Sequence, residues 1–429
     1  MITPLAAAND PACGSPCPAI VPDSVLLVTA VPLKRIGSAI CLDDQTCDGL
    51  ERWGEHFARI TYAGIETPPG PAGPTGSSTT WRPVRDLRCA DRLTMVSLPD
   101  AYRIKAFSKH YAATRATLAH QIGRSRYLCF TLGALIGDWG GVAALEAIAR
   151  RRDYAVWFDR VESEVIRRTL KVERLRRRIK ERVSLPLMER YHRYLIRRST
   201  LGLFQGQDCF QTYAPHATKP FCVYDTHTTC ADRIPMMELQ GKRAAILRGE
   251  PIRLLYVGRA SAMKGPFDWL DAVAGARRAG LHVSATWLGD GPLLEAMRAR
   301  VRAEGLETCV SLPGFEGDRG RLLRAMREAH LFLFCHTTPE SPRCLVEALV
   351  CGTPLVGYGS PYSEGLVGRE GAGLLSTMGD AVTLVRSLVE LDRDRERLAG
   401  LTDAAARTGQ QFDAETVYGE RAALIKHFL

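Results

Sequence analysis

Two cations stand on one short loop in the segment RLLYVGRASAMKG (253–265). Gly258 ends a β-rich apolar run, and its missing side chain lets the backbone turn sharply. Arg259 and Lys264 follow within the loop. An arginine fork and a movable lysine charge together suit a diphosphate, which needs its negative charge neutralised as it leaves. Taken alone, two basic loop residues are more typical of an ordinary protein surface.

The segment PESPRCLVEALVCGTPLVGY (339–358) carries two glutamates. Glu340 lies in a loop, and the chain then enters a short helix whose first amides we expect to be unpaired, which favours an anion site. Glu347 falls in the first turns of that helix, where a carboxylate can accept both hydroxyls of a ribose. The alternative for Glu347 is a surface glutamate that only stabilises the helix dipole.

Alternating strands and helices between Arg253 and Leu375 predict where these segments meet. The strand candidates are RLLYVG, HVSATWLG, CVSLPG, LFLFCHT and TPLVGY. Strand–helix alternation indicates βαβ units and a parallel sheet, and ligands bind at the carboxyl ends of such strands. The loops after Gly258 and Thr337 therefore share one edge of the sheet.

The first half of the chain is less regular, but it also favours an α/β domain. Strands are predicted at 24–33, 92–98, 126–135, 201–206 and 220–227, a crossover helix at 49–64, a mostly helical stretch at 141–162 and a connector at 231–250. We place the domain boundary near 240. From about Asp380 onward the sequence predicts helices to the end.

Composition excludes several classes of protein. The 429 residues are 46% hydrophobic and 24% charged, as in globular proteins, and the length favours two domains. No apolar run approaches the roughly 20 residues of a membrane-spanning helix. The 13 cysteines form no CxxC pair or zinc-finger spacing, so we expect reduced thiols, no metal site and a cytoplasmic protein. A net charge of +10 favours anionic partners.

The stretch from Leu254 to Leu375 resembles the donor-binding domain of retaining GT-B glycosyltransferases of family 4 (group 1). The similarity lies in LLYVGRASAMKG, WLGDGPLLEAMRARVRAEGL, VSLPGFEGDRGRLLRAMREAHLFLF, ESPRCLVEALVCGTPLVGY and SPYSEGLVGREGAGLL. It extends weakly to QFDAETVYGERAALIKHF, which is similar to the family's C-terminal helix that returns to the first domain.

The resemblance implies a role for each matching position. Arg259 and Lys264 would hold the donor diphosphate and, with Glu340 near the reacting carbon, form the catalytic set, while Glu347 would bind the ribose. The implied donor-binding residues are Gly258, Arg259, Lys264, Glu340, Ser341, Arg343, Cys344, Leu345 and Glu347. The family works without a metal or other cofactor and retains the anomeric configuration.

The sequence departs from the family pattern at three places. Glu340 and Glu347 stand seven residues apart instead of the usual eight. The expected Gly-x-Gly is replaced by residues 341–343, in which Pro342 has no N–H to donate and Arg343 offers a compensating charge. The Gly-Gly loop of the first domain is replaced by a segment containing Gly37, which we retain, with His227, as a candidate on the acceptor side.

A strongly basic segment spans residues 166–183, with nine Lys or Arg between Arg167 and Arg182 against two Glu. Apolar residues at 165, 172, 175, 179 and 183 fall on one face of a predicted helix. Such a helix can lie on an anionic membrane, with Arg174, Arg176, Arg177 and Arg178 at the surface. A solvated helix that packs on its own domain is the alternative, and nucleic acid ranks lowest because no aromatic platform accompanies the charge.

These observations lead to one prediction. The fold is α/β, with two Rossmann-like domains facing across a cleft: a loose leader at 1–23, an acceptor-side domain at 24–240, a donor domain at 241–400 and a returning C-terminal helix at 401–429. The chain transfers a hexose-type sugar from a nucleotide-diphosphate-sugar to a hydroxyl of a glycan or lipid-linked glycan, in cell-surface or exopolysaccharide assembly. We expect it in the cytoplasm, with the inner face of the membrane as a candidate surface.

Two other functions remain open at this stage. The shortened glutamate spacing and Pro342 are consistent with an inactive homologue that serves as a partner in a polysaccharide assembly complex. An oxidoreductase would require a G-x-G-x-x-G after a strand, and the sequence contains none.

Overall fold

The protein is described by a computed structural model that covers residues 20–67, 80–170, 175–338, 341–368 and 370–429. The strands in these ranges are β1 Val21–Ile36, β2 Ala39–Asp43, β3 Arg59–Glu66, β4 Trp81–Pro83, β5 Leu93–Pro99, β6 Ser125–Thr131, β7 Ala155–Phe158, β8 Leu201–Gln205, β9 Pro220–Val223, β10 Ile252–Val257, β11 Val283–Leu288, β12 Val310–Gly314, β13 Leu331–Phe334, β14 Leu355–Tyr358 and β15 Gly373–Ser376.

The α-helices alternate with these strands. They are α1 Asp44–His56, α2 Ile104–Arg124, α3 Trp139–Ala149, α4 Glu162–Thr169, α5 Leu175–Arg198, α6 Gly206–Tyr213, α7 Met236–Leu247, α8 Pro266–Arg278, α9 Leu294–Ala303, α10 Arg319–Glu328, α11 Arg343–Val350, α12 Pro361–Val367, α13 Ala381–Arg393, α14 Arg395–Gly409 and α15 Ala414–Phe428.

The first sheet is built around parallel strands in the order β5-β3-β1-β6-β7-β8-β9. The long strand β1 also continues into an antiparallel hairpin with β2, and β2 pairs with β4. Apolar runs such as residues 25–28 are buried on both faces, as a parallel sheet covered by helices requires.

The second sheet has six strands in the described ranges, all parallel, in the order β12-β11-β10-β13-β14-β15. Helices α7–α14 pack with it around one hydrophobic core. The order reverses direction between β10 and β13, so their loops form the crevice in which open α/β sheets bind ligands.

The last helix leaves the second sheet and returns to the first. Tyr418 of α15 packs edge-on against Trp53 of α1 at 5.5 Å between ring centroids. Ile425 is fully buried in the same cluster as strands of the first sheet. Helix α14, up to Gly409, still packs on α7 and α11, so the crossing begins after 409 instead of at 401.

The structure corrects four details of the expected elements. Residues 59–64 are strand β3 and not the end of a helix, because Ile60, Tyr62 and their neighbours pair in register with β1 and β5. Residues 155–158 form strand β7. Residues 236–247 form helix α7 on the second domain, so the transition between domains falls between β9 and α7, before 240. The first strand begins at Val21, while residues 1–19 of the expected leader lie outside the described residues.

The basic segment also differs from the expected single helix. It contributes to two helices, α4 and α5, and residues 171–174 lie between them, outside the described residues. Val165 of α4 is 6% exposed because it packs inward, whereas Val183 of α5 is 65% exposed. These two residues therefore do not share one face.

Candidate donor and acceptor site

The Arg259 loop is fixed to the turn that follows β11. Gly258 donates its N–H to the Leu288 carbonyl at 2.9 Å and accepts from Trp287 Nε1 at 3.0 Å. The next residue of the loop core, Ala260, donates to the Asp290 carbonyl at 2.9 Å. These bonds leave the Arg259 side chain exposed at the carboxyl edge of the sheet.

The Lys264 part of the loop is fixed to the end of β13. Thr337 donates its backbone N–H to the Met263 carbonyl at 2.9 Å and its hydroxyl to the Ala262 carbonyl at 3.3 Å. Gly265 adopts φ +60° against the Cys335 carbonyl, which would lie 2.0 Å from an added Cβ. Only glycine fits there without displacement, and the loop is thereby held beside the segment that enters α11.

A buried hydrogen-bonded pair of side chains joins the end of β10, where this loop begins, to the residues after β13. His336 Nε2 lies 2.8 Å from the Tyr256 hydroxyl, and both rings are almost inaccessible to solvent. Burial and, next, the nearby Lys264 charge lower the pKa of His336 well below its usual value. A neutral imidazole follows from this. Sequence reasoning missed the pair, although its position directly after β13 was visible.

The segment entering α11 touches the first domain. Ser341 donates its hydroxyl to the Gln205 carbonyl at 3.0 Å. Glu340, for which the sequence predicts a catalytic role, lies outside the described residues. Cys344 and Leu345 direct their side chains into the core of the second domain. The Leu345 amide, expected to be unpaired, instead donates to the Pro342 carbonyl at 3.2 Å, because the helix starts with a tight turn.

Arg343 reaches across the cleft. Its guanidinium contacts His227 Nε2 and lies 3.8 Å from Asp225 Oδ2. The structure thus brings together Arg343, expected on the donor side, and His227, expected on the acceptor side. Burial and, next, the Arg343 charge lower the pKa of His227 to about 4.

Asp225 balances the charges around this contact. Its Oδ1 also faces Arg421 Nη1 at 3.3 Å, and the Arg421 side chain is 1% exposed. Burial alone would raise the pKa of Asp225, but Arg421, Arg343 and His227 outweigh it and hold that pKa below its usual value.

Glu347 is buried and already paired. Its Oε1 accepts from Arg319 Nη1 at 3.2 Å, and Arg319 Nη2 lies 3.3 Å from both Asp232 Oδ2 and the His227 carbonyl. Arg319 starts α10, which packs against α11 and so points its guanidinium at the carboxylate. A ribose bound by Glu347 would share that carboxylate with Arg319.

A cavity of about 440 Å³ opens between the two domains next to Arg343. Its first-domain wall contains Trp53, Tyr62, Trp157 and Tyr418, and its second-domain wall contains Ser341 and Arg343. Asp159 also lines it. This side chain is solvent-accessible but lies deep among protein atoms, which, with the Asp225 charge, raises its pKa to about 6.

The remaining predicted residues lie elsewhere. Gly37 forms the tip of the β1–β2 hairpin at φ +60°, in open space, and is not among the residues that line the cavity. Arg174 lies outside the described residues, and Arg176, Arg177 and Arg178 fall in the first turns of α5. Within the described ranges, no group of three or more His, Cys, Asp or Glu residues is arranged to hold a metal ion.

Residues 241–408 match the protein family described as Glycosyl transferases group 1. The matched region contains β10–β15 and helices α8–α14, with Arg259, Lys264 and Glu347 among its residues. The match accounts for the second sheet and leaves the first domain outside the family model.

Two curated relatives are transferases. The amylovoran biosynthesis glycosyltransferase AmsK of Erwinia amylovora is 26% identical over 184 residues, which are 41% of this chain and 45% of that protein. The 2-deoxystreptamine N-acetyl-D-glucosaminyltransferase of Streptomyces fradiae is 30% identical over 204 residues, 45% of each chain. The aligned region thus spans less than half the length of either relative.

Solved structures match both domains together. Anabaena HepE in complex with UDP has a TM-score of 0.64 at 16% identity, covering 94% of this chain and 99% of that one. Sucrose-phosphate synthase from Thermosynechococcus elongatus has a TM-score of 0.63 at 13% identity, covering 94% and 98%. At these identities the likeness shows the fold alone. The predicted GT-B fold, two Rossmann-like domains, is confirmed.

Proposed function

We propose that this protein is a glycosyltransferase that moves a sugar from a nucleotide-diphosphate-sugar to a hydroxyl of a glycan or lipid-linked glycan. The observation that supports this most is the pair of bonds from Thr337 to the Ala262 and Met263 carbonyls, because they hold the Lys264 loop beside the segment that leads into α11, within the region that matches group 1. Anabaena HepE was crystallised with UDP-glucose, which favours a nucleotide-sugar donor here.

The chemistry follows from the charges available at this edge. Arg259 and Lys264 are the groups we expect to neutralise the departing diphosphate, which replaces the role of a divalent metal. We therefore expect transfer to proceed in the presence of EDTA. The group 1 resemblance favours retention of the anomeric configuration, which proton NMR of the first-formed product measures directly. The exopolysaccharide role printed for the Erwinia relative favours polysaccharide assembly as the setting.

Donor turnover tests the proposal. Hydrolysis or transfer of a nucleotide-sugar should fall by at least about 100-fold in Arg259→Ala and in Lys264→Ala, because each variant loses a charge that stabilises the leaving group. Arg278→Ala, on the far end of α8, is the matched control and should keep full activity. Equal activity in all three variants would contradict the assignment of the two cations.

A non-catalytic partner in an assembly complex is the second candidate. It is favoured by one observation: the Arg343 and Glu347 side chains are both engaged by protein groups, Arg343 by His227 and Asp225 and Glu347 by Arg319. A chain that binds a nucleotide diphosphate but turns over no nucleotide-sugar would favour this candidate over the enzyme.

Membrane contact is a further part of the proposal, supported by the exposed face of α5. Val183, Leu187 and Tyr194 are 65%, 53% and 43% exposed. Exposed arginines at 182, 190, 197 and 198 lie on the same helix. An apolar stripe bordered by arginines suits the surface of an anionic bilayer. No helix among the described residues is both long and apolar enough to cross a membrane.

Liposome flotation separates this from a solvated helix. The protein should float with anionic vesicles and remain in solution with neutral ones, and salt should release it. Neutralising Arg174, Arg176, Arg177 and Arg178 to Gln should abolish flotation, whereas neutralising Arg52, Arg298 and Arg397 elsewhere on the surface should not. Undiminished flotation of the first variant would exclude the membrane role given to these four arginines.

A further inference from the structure

The cavity beside Arg343 has features of a built site that the donor assignment does not use. Its volume of about 440 Å³ falls in the range of about 300–1,000 Å³ typical of small-molecule sites. It lies alongside residues 27–32 in the middle of β1 and at the carboxyl ends of β6, β7 and β8, where an open α/β sheet places its ligands. Both domains contribute to it, so a ligand there would face the donor segment.

Two buried polar atoms of the cavity lining have no hydrogen-bond partner among the described residues. Trp157 Nε1 is a hydrogen-bond donor, and Gln205 Oε1 is a hydrogen-bond acceptor. Gln205 is only 2% exposed. Because an unpaired buried polar group is unfavourable, a ligand that both accepts and donates a hydrogen bond would stabilise the site by pairing these two atoms.

The walls of the cavity are aromatic. Trp53 packs edge-on against Trp157, with 6.4 Å between ring centroids, and against Tyr418 at 5.5 Å. Tyr62 adds a fourth ring, and its hydroxyl accepts from the Thr29 hydroxyl at 3.0 Å. Flat apolar rings with polar groups between them match a pyranose ring, which has C–H faces and a rim of hydroxyls.

The charges of the cavity are largely balanced. Asp225 is paired with Arg343 and Arg421. Asp159 is therefore the lining carboxylate that is able to accept a hydrogen bond from a ligand hydroxyl. With Arg343 and Arg421 set against Asp159 and Asp225, the cavity has no net positive charge to attract an anionic ligand. The arrangement therefore favours an uncharged sugar over a uronic acid.

We propose that this cavity binds an uncharged sugar ring of the acceptor, stacked on the aromatic wall and hydrogen-bonded by Trp157 Nε1 and Gln205 Oε1. The proposal rests on the proposed transferase function. It assigns Trp157 and Gln205 to binding of the acceptor sugar. Asp159 would accept a hydrogen bond from the sugar hydroxyl that lies nearest Arg343. Since Ser341 and Arg343 line the cavity from the donor domain, that hydroxyl would lie on the donor side of the cavity.

The test uses saturation-transfer NMR on the full chain without donor. The probes are the methyl glycosides of glucose, galactose, mannose and N-acetylglucosamine, with glucuronic acid as the charged comparison. We expect signal transfer to at least one uncharged glycoside, with binding about tenfold weaker in Trp157→Phe, which keeps a ring but loses the N–H. Trp81→Phe, on β4 outside the cavity, is the matched control and should bind normally.

Each other outcome overturns a defined part. If none of the uncharged glycosides binds while a nucleotide diphosphate still raises the melting temperature, the cavity proposal fails and the donor site stands. Stronger binding of glucuronic acid would overturn the assignment to uncharged sugars. Displacement of the glycoside by a nucleotide-sugar but not by the free nucleotide diphosphate would assign the cavity to the donor sugar instead. Failure of both ligands would count against the proposed function itself.

Discussion

At the scale of single residues, the charged side chains of the cleft form ion pairs and shift the pKa values of their neighbours. Asp225 lies between Arg343 and Arg421. Glu347, on α11, forms an ion pair with Arg319. Asp159 differs because its surroundings raise its pKa to about 6, chiefly through the many protein atoms around it and next through the charge of Asp225. Removing one charge should therefore have different consequences at each of these positions.

Asp159→Asn should stabilise the protein at neutral pH. The pKa of Asp159 is about 6 in the folded chain and about 3.9 when unfolded, so the folded state binds its proton more tightly. Its contribution to stability is fully present below pH 4 and is lost as the pH rises to 6. The variant should melt at a higher temperature than wild type at pH 7, and the two should converge near pH 4.

Asp153→Asn provides the control for that experiment, since Asp153 is exposed too but lies outside the cavity, where it accepts a hydrogen bond from the Thr200 hydroxyl. It should show no rise in melting temperature at pH 7. A wild-type protein that melts above Asp159→Asn at neutral pH would contradict the account of the Asp159 environment.

The sequence predicts the positions of Lys264 and Glu347 because both follow recognisable strand ends. It does not predict that Arg319 pairs with Glu347, since the two are brought together by the packing of α10 on α11. Arg421 reaches Asp225 from nearly the end of the chain, and no local pattern links them. Contacts of this kind depend on tertiary packing.

At the scale of elements, the loop after β10 carries Arg259 and Lys264, and Gly265 fixes the position of that loop. Gly265 ends the Ala262–Lys264 turn and precedes α8, with Pro266 at the first helical position. Strand–helix alternation was sufficient to predict this half. In the first half, Phe57 ends α1 and residues 59–66 pair between β1 and β5, which a helical pattern running to 64 could not indicate.

Gly265→Ala should displace the Lys264 loop. An alanine Cβ would lie 2.0 Å from the Cys335 carbonyl, and the residue would also have to keep φ at +60°. We expect a loss of about 2–3 kcal/mol in the free energy of unfolding and at least tenfold weaker binding of a nucleotide diphosphate. Urea denaturation and calorimetric titration measure the two effects.

Gly280→Ala is the matched control, because Gly280 also has a positive φ, +87°, but has open space around it. It should cost less stability and leave nucleotide binding unchanged. Equal effects of the two substitutions would mean that the contact with Cys335 does not position the loop.

At the scale of the whole molecule, α15 connects the end of the chain to the linker between the domains. The Arg421 guanidinium donates to the Tyr224 carbonyl, pairs with Asp225 and lies 4.6 Å from the Trp157 ring centroid. The sequence predicts a returning C-terminal helix only through the family resemblance. The register that directs Arg421 inward follows from the packing of Tyr418 and Ile425 on the first domain.

Arg421→Met should lower the free energy of unfolding by about 2 kcal/mol, because it leaves the Asp225 charge poorly compensated. The expected loss is smaller than for a fully buried pair, because the Asp225 side chain is 21% exposed. Arg397→Met, which removes an exposed pair with Glu390, should cost less than about 0.5 kcal/mol. Urea unfolding of both variants measures these losses in the free energy of unfolding. Similar losses in the two variants would contradict the role of Arg421 in compensating the Asp225 charge.

The most direct test of the donor assignment is a thermal-shift measurement with UDP, GDP and ADP on wild type, Glu347→Ala and the control Glu390→Ala. At about 100 times its Kd, a ligand stabilises the folded state by about 2.7 kcal/mol. We predict a higher melting temperature with one nucleotide diphosphate for wild type and Glu390→Ala, and none for Glu347→Ala. No shift with any nucleotide in wild type, or an undiminished shift in Glu347→Ala, would contradict a donor site built around this carboxylate.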